Sequence, residues 1–364
     1  MKIAHVVDSM EVGGAETLVT QMCRLQREQG HDPCIYAVGT LGALGECMRQ
    51  EKFEVRPNVG RRFPDAMRNF FRIFKTSQPD VVHLHNLTPT YYAAMAAKMA
   101  GVPGVVSTRH SLVAPPQRKI PELKYAYAAT FCDWIVGICD ATADNLRAIR
   151  TIPVRKIRRV YNGTVPLDRV AKEQWPSKSG FTLLYVGRLA PEKNLKLLLA
   201  AFRAAHLSIP GLRLWMVGDG IERKALEDTA AQFGITEHVT FWGQQLAVAP
   251  FFSAADAFIM SSKSEGLPVS LLQAFSLGLS VIVTDVGGMA EVVRLATAGI
   301  TVSLTDTAEM AAAILRIAGG DTERNRFSIN AEEAFHSRFT LQTMVDAYMN
   351  LYQSRMRTDA WKSQ

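Results

Sequence analysis

Short apolar runs recur along the whole chain, and most end in a glycine or a small polar cluster. In the first half the runs fall at 2–7, 33–38, 53–56, 81–84, 105–108, 134–138 and 157–161; in the second at 181–186, 214–217, 239–242, 257–260 and 281–283. Their length and β-branched content predict buried strands. Between them apolar residues return at helical spacing, as in Leu18, Val19, Met22 and Leu25, or Val269, Leu271, Leu272 and Phe275. Strands alternating with helices predict an α/β architecture with parallel sheets covered by helices. In such sheets ligands bind beyond the carboxyl ends of the strands, which places Asp8, His85, Asn86 and His110 at one rim.

A polar, proline-containing run from 164 to 180 separates the halves and predicts a linker. The expected organisation is therefore a first α/β domain at 1–163 and a second at 164–338. A C-terminal helix carries Leu341, Met344, Val345, Tyr348 and Leu351 at helical spacing within 339–364 and ends in a frayed tail.

The stretch Ser261-Ser262-Lys263-Ser264-Glu265-Gly266-Leu267-Pro268 links the strand at 257–260 to a helix start. Pro268 suits the first turn, where its missing N–H is not needed. Backbone N–H groups and the helix dipole at such a start seat hydroxyls and anions. Glu265 and Gln273, about two turns on, share roughly one face and together suit a polyol. The plainer alternative makes Glu265 a capping charge and Gln273 a solvated helix residue.

Asp8 precedes Gly13-Gly14-Ala15-Glu16 between the first strand and its helix. Two adjacent glycines permit close backbone approach by a phosphate or serve a plain turn, and GxGxxG is absent. Gly187-Arg188 and Lys193 follow the strand at 181–186. A guanidinium fork and a compact ammonium at one turn suit one anion, although solvated loop cations look the same in sequence. Gly218, Gly220 and Gly243 end later strands, either beside a nucleotide or as ordinary turn glycines. His83 and His85 form an HxH pair that strand alternation puts on one face, without an evident third metal ligand.

Taken in order, Gly-Gly-Ala-Glu, the strand-end His110, Gly-Arg…Glu-Lys-Asn and Glu-Gly-Leu-Pro…Gln resemble the family-4 retaining glycosyltransferases of GT-B fold over nearly the whole chain. The resemblance implies two Rossmann-like domains facing a cleft, with the last helix crossing back to the first domain. It implies that His110 and Glu265 face the transferred sugar and that Arg188 and Lys193 neutralise the donor diphosphate. Gly13 and Gly14 lie between diphosphate and acceptor, with Asp8 and Glu16 on the acceptor side. Gly187, Gly218, Gly243, Gly266, Leu267, Pro268 and Gln273 complete the donor site. The family usually has a second Glu, on the ribose hydroxyls, where this chain has Gln273; Gln still donates and accepts hydrogen bonds. The implied reaction needs no metal and no cofactor beyond a nucleotide diphosphate sugar, and the family's habits favour UDP over GDP. A GT-B sugar-nucleotide epimerase, a nicotinamide-dependent oxidoreductase and a non-catalytic nucleotide-sugar-binding protein are the alternatives.

Charge narrows the partners. Residues 1–170 hold 23 Lys and Arg against 15 Asp and Glu, whereas the remainder holds 18 against 19. Arg61, Arg62, Arg68, Arg72 and Lys75 interleave with Phe63, Phe70, Phe71 and Phe74, which suits either a helix lying on anionic lipid or a core helix with a basic outer face. A glycan or lipid-linked glycan acceptor follows from the family and from this charge, and nucleic acid is not expected. No apolar run reaches a membrane span, no signal peptide is evident, and five cysteines lack a CxxC pair. A cytoplasmic protein with free thiols is expected, with the inner membrane face as a candidate site of action.

Overall fold

The computed structural model describes residues 1–60, 62–112 and 119–360 and divides into two compact units, Met1–Thr164 with Leu341–Gln364, and Val165–Thr340. In the first unit the strands are β1 (Lys2–Val7), β2 (Asp32–Ala37), β3 (Val55–Arg56), β4 (Val81–His85), β5 (Gly104–Arg109), β6 (Trp134–Gly137) and β7 (Ile157–Arg159). They form one parallel sheet in the order β3-β2-β1-β4-β5-β6-β7. β1 pairs with β4 so that His5 lies opposite His83.

Both faces of this sheet are covered, which is why its strands read as nearly continuous apolar runs. On one face Ala4, Val6, Val82 and Leu84 pack with Phe70, Phe74, Ala93 and Tyr125. On the other, Ile3, Val81, Val106 and Val136 pack with Leu18, Met22, Met344 and Tyr348. The C-terminal helix Leu341–Ala360 therefore completes the first unit, and Trp134 Nε1 donates to the Leu351 carbonyl at 3.2 Å.

The second unit holds β8 (Thr182–Val186), β9 (Arg213–Val217), β10 (Val239–Gly243), β11 (Ala257–Met260), β12 (Ser280–Thr284) and β13 (Gly299–Val302), parallel in the order β10-β9-β8-β11-β12-β13. β13 escapes a periodicity reading because it is a four-residue edge strand opened by a glycine. That glycine is required: a Cβ on Gly299 would stand 2.0 Å from the Val281 carbonyl oxygen. The run at 164–180, expected as a linker, lies largely on the second unit. Leu167 N donates to Ser276 Oγ at 3.1 Å, Val170 N to Ser253 Oγ at 3.1 Å, and Arg169 Nη2 to the Leu277 carbonyl at 2.7 Å.

The basic helix Phe63–Ser77 does not offer its apolar face to a lipid surface. Ala66, Phe70 and Phe74 are buried in the core, Phe63 stacks on Tyr91, and Arg68, Arg72 and Lys75 face outward. Arg61 lies outside the described residues. The helix thus takes the second of the two expected forms, a core helix with a solvated basic face. Among the described residues no helix is long and apolar enough to cross a membrane. Phe70→Ala should destabilise the first unit by about 3–5 kcal/mol in urea denaturation, as a large buried aromatic does on truncation. Arg72→Ala should stay within about 0.5 kcal/mol; the reverse ranking would show that Phe70 is not core.

Candidate functional site

In the second unit the chemistry gathers where β8, β9, β10 and β11 end. Gly187 N donates to the Val217 carbonyl at 3.0 Å, and Gly218 N to the Gly243 carbonyl at 2.8 Å, so three strand-end glycines lie on adjoining backbones. The packing tolerates nothing larger at Gly218. Its φ is +131°, and an added Cβ would stand 2.0 Å from the Gly187 carbonyl oxygen. Gly243, at φ +68°, sits beside Arg223, which is tied to Asp219 at 3.0 Å and Glu227 at 2.9 Å.

The loop after β8 is held from beneath by Tyr185, whose buried hydroxyl donates to the Arg188 carbonyl at 2.8 Å. Lys193 reaches across to Glu265 on the loop after β11, and Ser262 Oγ donates to the same Glu265 oxygen at 3.2 Å. Backbone contacts lace the loops further: Ser261 Oγ donates to the Lys193 carbonyl and Lys263 N to the Glu192 carbonyl, both at 2.8 Å. Thr284 Oγ1, at the end of β12, donates to the Ser262 carbonyl at 2.6 Å. Lys193 and Glu265, 13% and 16% exposed, are thus positioned by the ends of β8, β11 and β12.

Arg188 stands apart from this pair. It is 75% exposed and bound to Glu192 at 2.9 Å, so Arg188 and Lys193 face different carboxylates where convergence on one anion was expected. Gly266 and Leu267 are buried behind Glu265. Pro268 takes the cap position, just before the helix Val269–Ser276 rather than within its first turn, and Gln273 is half-buried on that helix.

In the first unit Gly13 caps the helix Gly14–Glu28. A Cβ on Gly13 would meet the Glu16 carboxylate at 2.3 Å, whereas one on Gly14 meets nothing within 4 Å. Glycine at 14 therefore answers no packing demand among the described residues. Asp8, half-buried at the end of β1, has its carboxyl pushed up by burial, opposed by a hydrogen bond with Thr88.

His110 follows β5, and its backbone N donates to Asn86 Oδ1 at 2.9 Å. Its Nε2 meets His85 Nδ1 at 3.0 Å, and His85 Nε2 meets His5 Nδ1 at 3.0 Å. His5 Nε2 ends on Gln26 Oε1 at 2.9 Å. His83 branches off, with Nε2 on Thr108 Oγ1 and Nδ1 on the Tyr352 hydroxyl, both at 2.7 Å. Residues 113–118, which follow His110 in the chain, lie outside the described residues.

Sequence reading missed His5, Gln26 and Tyr352. The third imidazole that the HxH pair lacked is His5, with ligand atoms of all three rings within 4.8 Å of one another. The ring nitrogens of His5, His83 and His85 all have hydrogen-bond partners, so a cation there would have to displace them. The only sequence signal was strand alternation applied across β1 and β4 together, and it depends on a register that sequence does not print.

Two family models divide the chain between them: Glycosyltransferase Family 4 over residues 12–166 and Glycosyl transferases group 1 over residues 169–334. The chain belongs to the family-4 glycosyltransferases of GT-B fold. It is 31% identical over 206 residues to the lipopolysaccharide core biosynthesis glycosyltransferase LpsE of Rhizobium meliloti, covering 55% of this chain and 59% of LpsE. It is 27% identical over 302 residues to an Escherichia coli UDP-Gal:α-D-GlcNAc-diphosphoundecaprenol α-1,3-galactosyltransferase, covering 78% of each. The match to LpsE, and a further one to LpsD of the same organism covering 49% of it, span only about half to three fifths of those relatives. Among solved structures, Anabaena HepE in complex with UDP superposes with a TM-score of 0.82 at 18% identity, over 97% of this chain and 100% of that one. The lipopolysaccharide glycosyltransferase WaaG gives 0.73 at 17% identity, over 95% and 98%.

Burial pushes His5 and His110 down from 6.5 to about 4 and His83 and His85 well below their ordinary value. The cluster is neutral when folded, while the unfolded chain takes up protons near 6.5. Its contribution to stability is full above that pH and is lost as pH falls toward about 4. Denaturant midpoints should drop steeply over that window, and His5→Gln should flatten the slope. A wild-type profile without acid dependence between pH 6.5 and 4 would contradict the neutral cluster.

Proposed function

We propose that this chain transfers a sugar from a nucleotide diphosphate sugar to a hydroxyl of a glycan or lipid-linked glycan, with retention of configuration and without a metal. The observation that carries the proposal is the Lys193–Glu265 pair, held between two strand-end loops beside the close-packed glycines 187 and 218. An ammonium already desolvated by its surroundings and matched to a carboxylate is poised for exchange. An arriving diphosphate competes for Lys193 and frees Glu265 to accept hydrogen bonds from sugar hydroxyls.

Breaking the bond between the anomeric carbon and the phosphate oxygen leaves negative charge on the diphosphate, which Lys193, Arg188 and backbone N–H groups stabilise electrostatically. Arg188 swings from Glu192, an exposed pairing that holds it only weakly. The departing phosphate oxygen then takes the acceptor hydroxyl's proton on the same face of the sugar, so no carboxylate nucleophile is required. UDP is the favoured base, supported by the UDP bound to Anabaena HepE and the UDP-Gal donor named for the E. coli relative. Polysaccharide or lipopolysaccharide assembly is the corresponding biological class. The outward basic face of the helix Phe63–Ser77 gives a route to an anionic membrane surface by charge alone.

A thermal-shift panel of UDP, GDP, ADP, UDP-sugars and NAD tests the donor class. Ligand at about 100 times its Kd should add about 2.7 kcal/mol. Stabilisation by a uridine nucleotide, not by NAD, is expected; response to NAD alone would overturn the assignment. Lys193→Ala should lower transfer by roughly 10²–10³-fold, with the anomeric configuration of the wild-type product read by NMR. Gln273→Glu should tighten donor binding through the ribose. Co-sedimentation with vesicles containing phosphatidylserine should weaken as salt rises toward 0.5 M, and vesicle binding indifferent to lipid charge would remove the membrane arm.

A further inference from the structure

We infer that a buried relay running from Gln26 through His5 and His85 fixes His110 as the Nε2–H tautomer and leaves its Nδ1 as a hydrogen-bond acceptor reserved for a ligand hydroxyl. A neutral imidazole has one N–H and one lone pair, so the role of either nitrogen dictates the other. Gln26 Oε1 only accepts, and His5 Nε2 at 2.9 Å must donate to it. His5 Nδ1 is then bare, and His85 Nε2 at 3.0 Å donates. His85 Nδ1 is bare in turn, and His110 Nε2 at 3.0 Å donates. The chain of choices ends at His110 Nδ1, which is shielded from solvent and has no hydrogen-bond partner among the described residues.

Each step requires neutral rings, and burial ensures that for all of them. The direction is set at Gln26. With Oε1 toward His5, its amide nitrogen is buried without a hydrogen-bond partner among the described residues, and the Tyr352 hydroxyl meets His83 Nδ1 at 2.7 Å. The opposite amide orientation would run the relay the other way and make His110 the Nδ1–H tautomer, the outcome that the spectrum below separates from the one inferred. His83 packs on His85 with ring centroids 4.1 Å apart but shares none of the relay's hydrogen bonds.

The consequence is chemical selectivity. A lone pair in a dry position welcomes a hydroxyl or N–H and repels phosphate and carboxylate oxygens, which only accept. His85, His5 and Gln26 are positioning residues, and His110 alone meets the ligand. That the ligand is a sugar hydroxyl rests on the transferase proposal above; the tautomer does not.

The test is a long-range ¹H–¹⁵N correlation spectrum of the ligand-free full chain labelled with ¹⁵N-histidine, at neutral pH, with His110→Asn assigning the His110 signals. His5, His85 and His110 should all appear as Nε2–H tautomers. Gln26→Met removes the terminal acceptor and should release an Nδ1–H population of His110. An Nδ1–H or doubly protonated His110 in the wild type overturns the inference without any variant, as does a Gln26→Met spectrum that keeps the wild-type tautomers. In transfer assays Gln26→Met should lower kcat/KM about tenfold while UDP, which lacks the sugar, binds as before. The stated tautomers without transfer from any donor would retire the transferase proposal and leave the relay standing. Transfer with an Nδ1–H His110 would do the reverse.

Discussion

Parallel pairing buried on both faces is the constraint on which the rest of this protein depends. Each strand must satisfy its backbone inside the sheet and offer apolar side chains above and below. Polar chemistry is thereby displaced to the strand ends, where the chain turns and backbone N–H groups open toward a ligand. Asp8, His110, Arg188, Lys193 and Glu265 all occupy such ends, after β1, β5, β8, β8 and β11. The glycines follow from the same crowding. At Gly218 and Gly299 a side chain would strike the backbone of the next strand.

The first unit breaks its own rule in one place. His5, His83 and His85 sit within central strands where aliphatic residues are expected, and they are tolerated because each nitrogen is matched. The match requires the last helix, which brings Tyr348 and Tyr352 from the far end of the chain to Thr108 and His83. A buried polar network is stabilising only when complete, so this helix is part of the first unit's core and not an appendage. The cluster carries no net charge into the interior, consistent with burial depressing every one of its rings.

The second unit handles charge differently. It places Lys193 and Glu265 together, largely removed from water, and leaves Arg188 exposed on a neighbouring carboxylate. Opposite charges held this way are a resting arrangement that a strongly anionic ligand can redistribute.

Much of this was legible in the linear chain. The alternation of apolar runs with helical spacing carries the α/β class, because periods of 2 and 3.6 are local properties of the backbone. The strand-end motifs place Gly13, Gly14, His110, Gly187, Lys193 and Glu265 at loops, since glycine, proline and clustered polar residues are incompatible with strand interiors. The sequence could not say which carboxylate each cation meets, that the aromatic face of 63–77 turns inward, or that β13 exists. Those outcomes depend on which elements pack together, and packing energy is a sum over distant partners. The histidine relay is the clearest case. His5, Gln26, His85 and His110 are scattered along the first unit's chain, and only the register of β1 against β4, with helices closed over it, joins them into one line of hydrogen bonds.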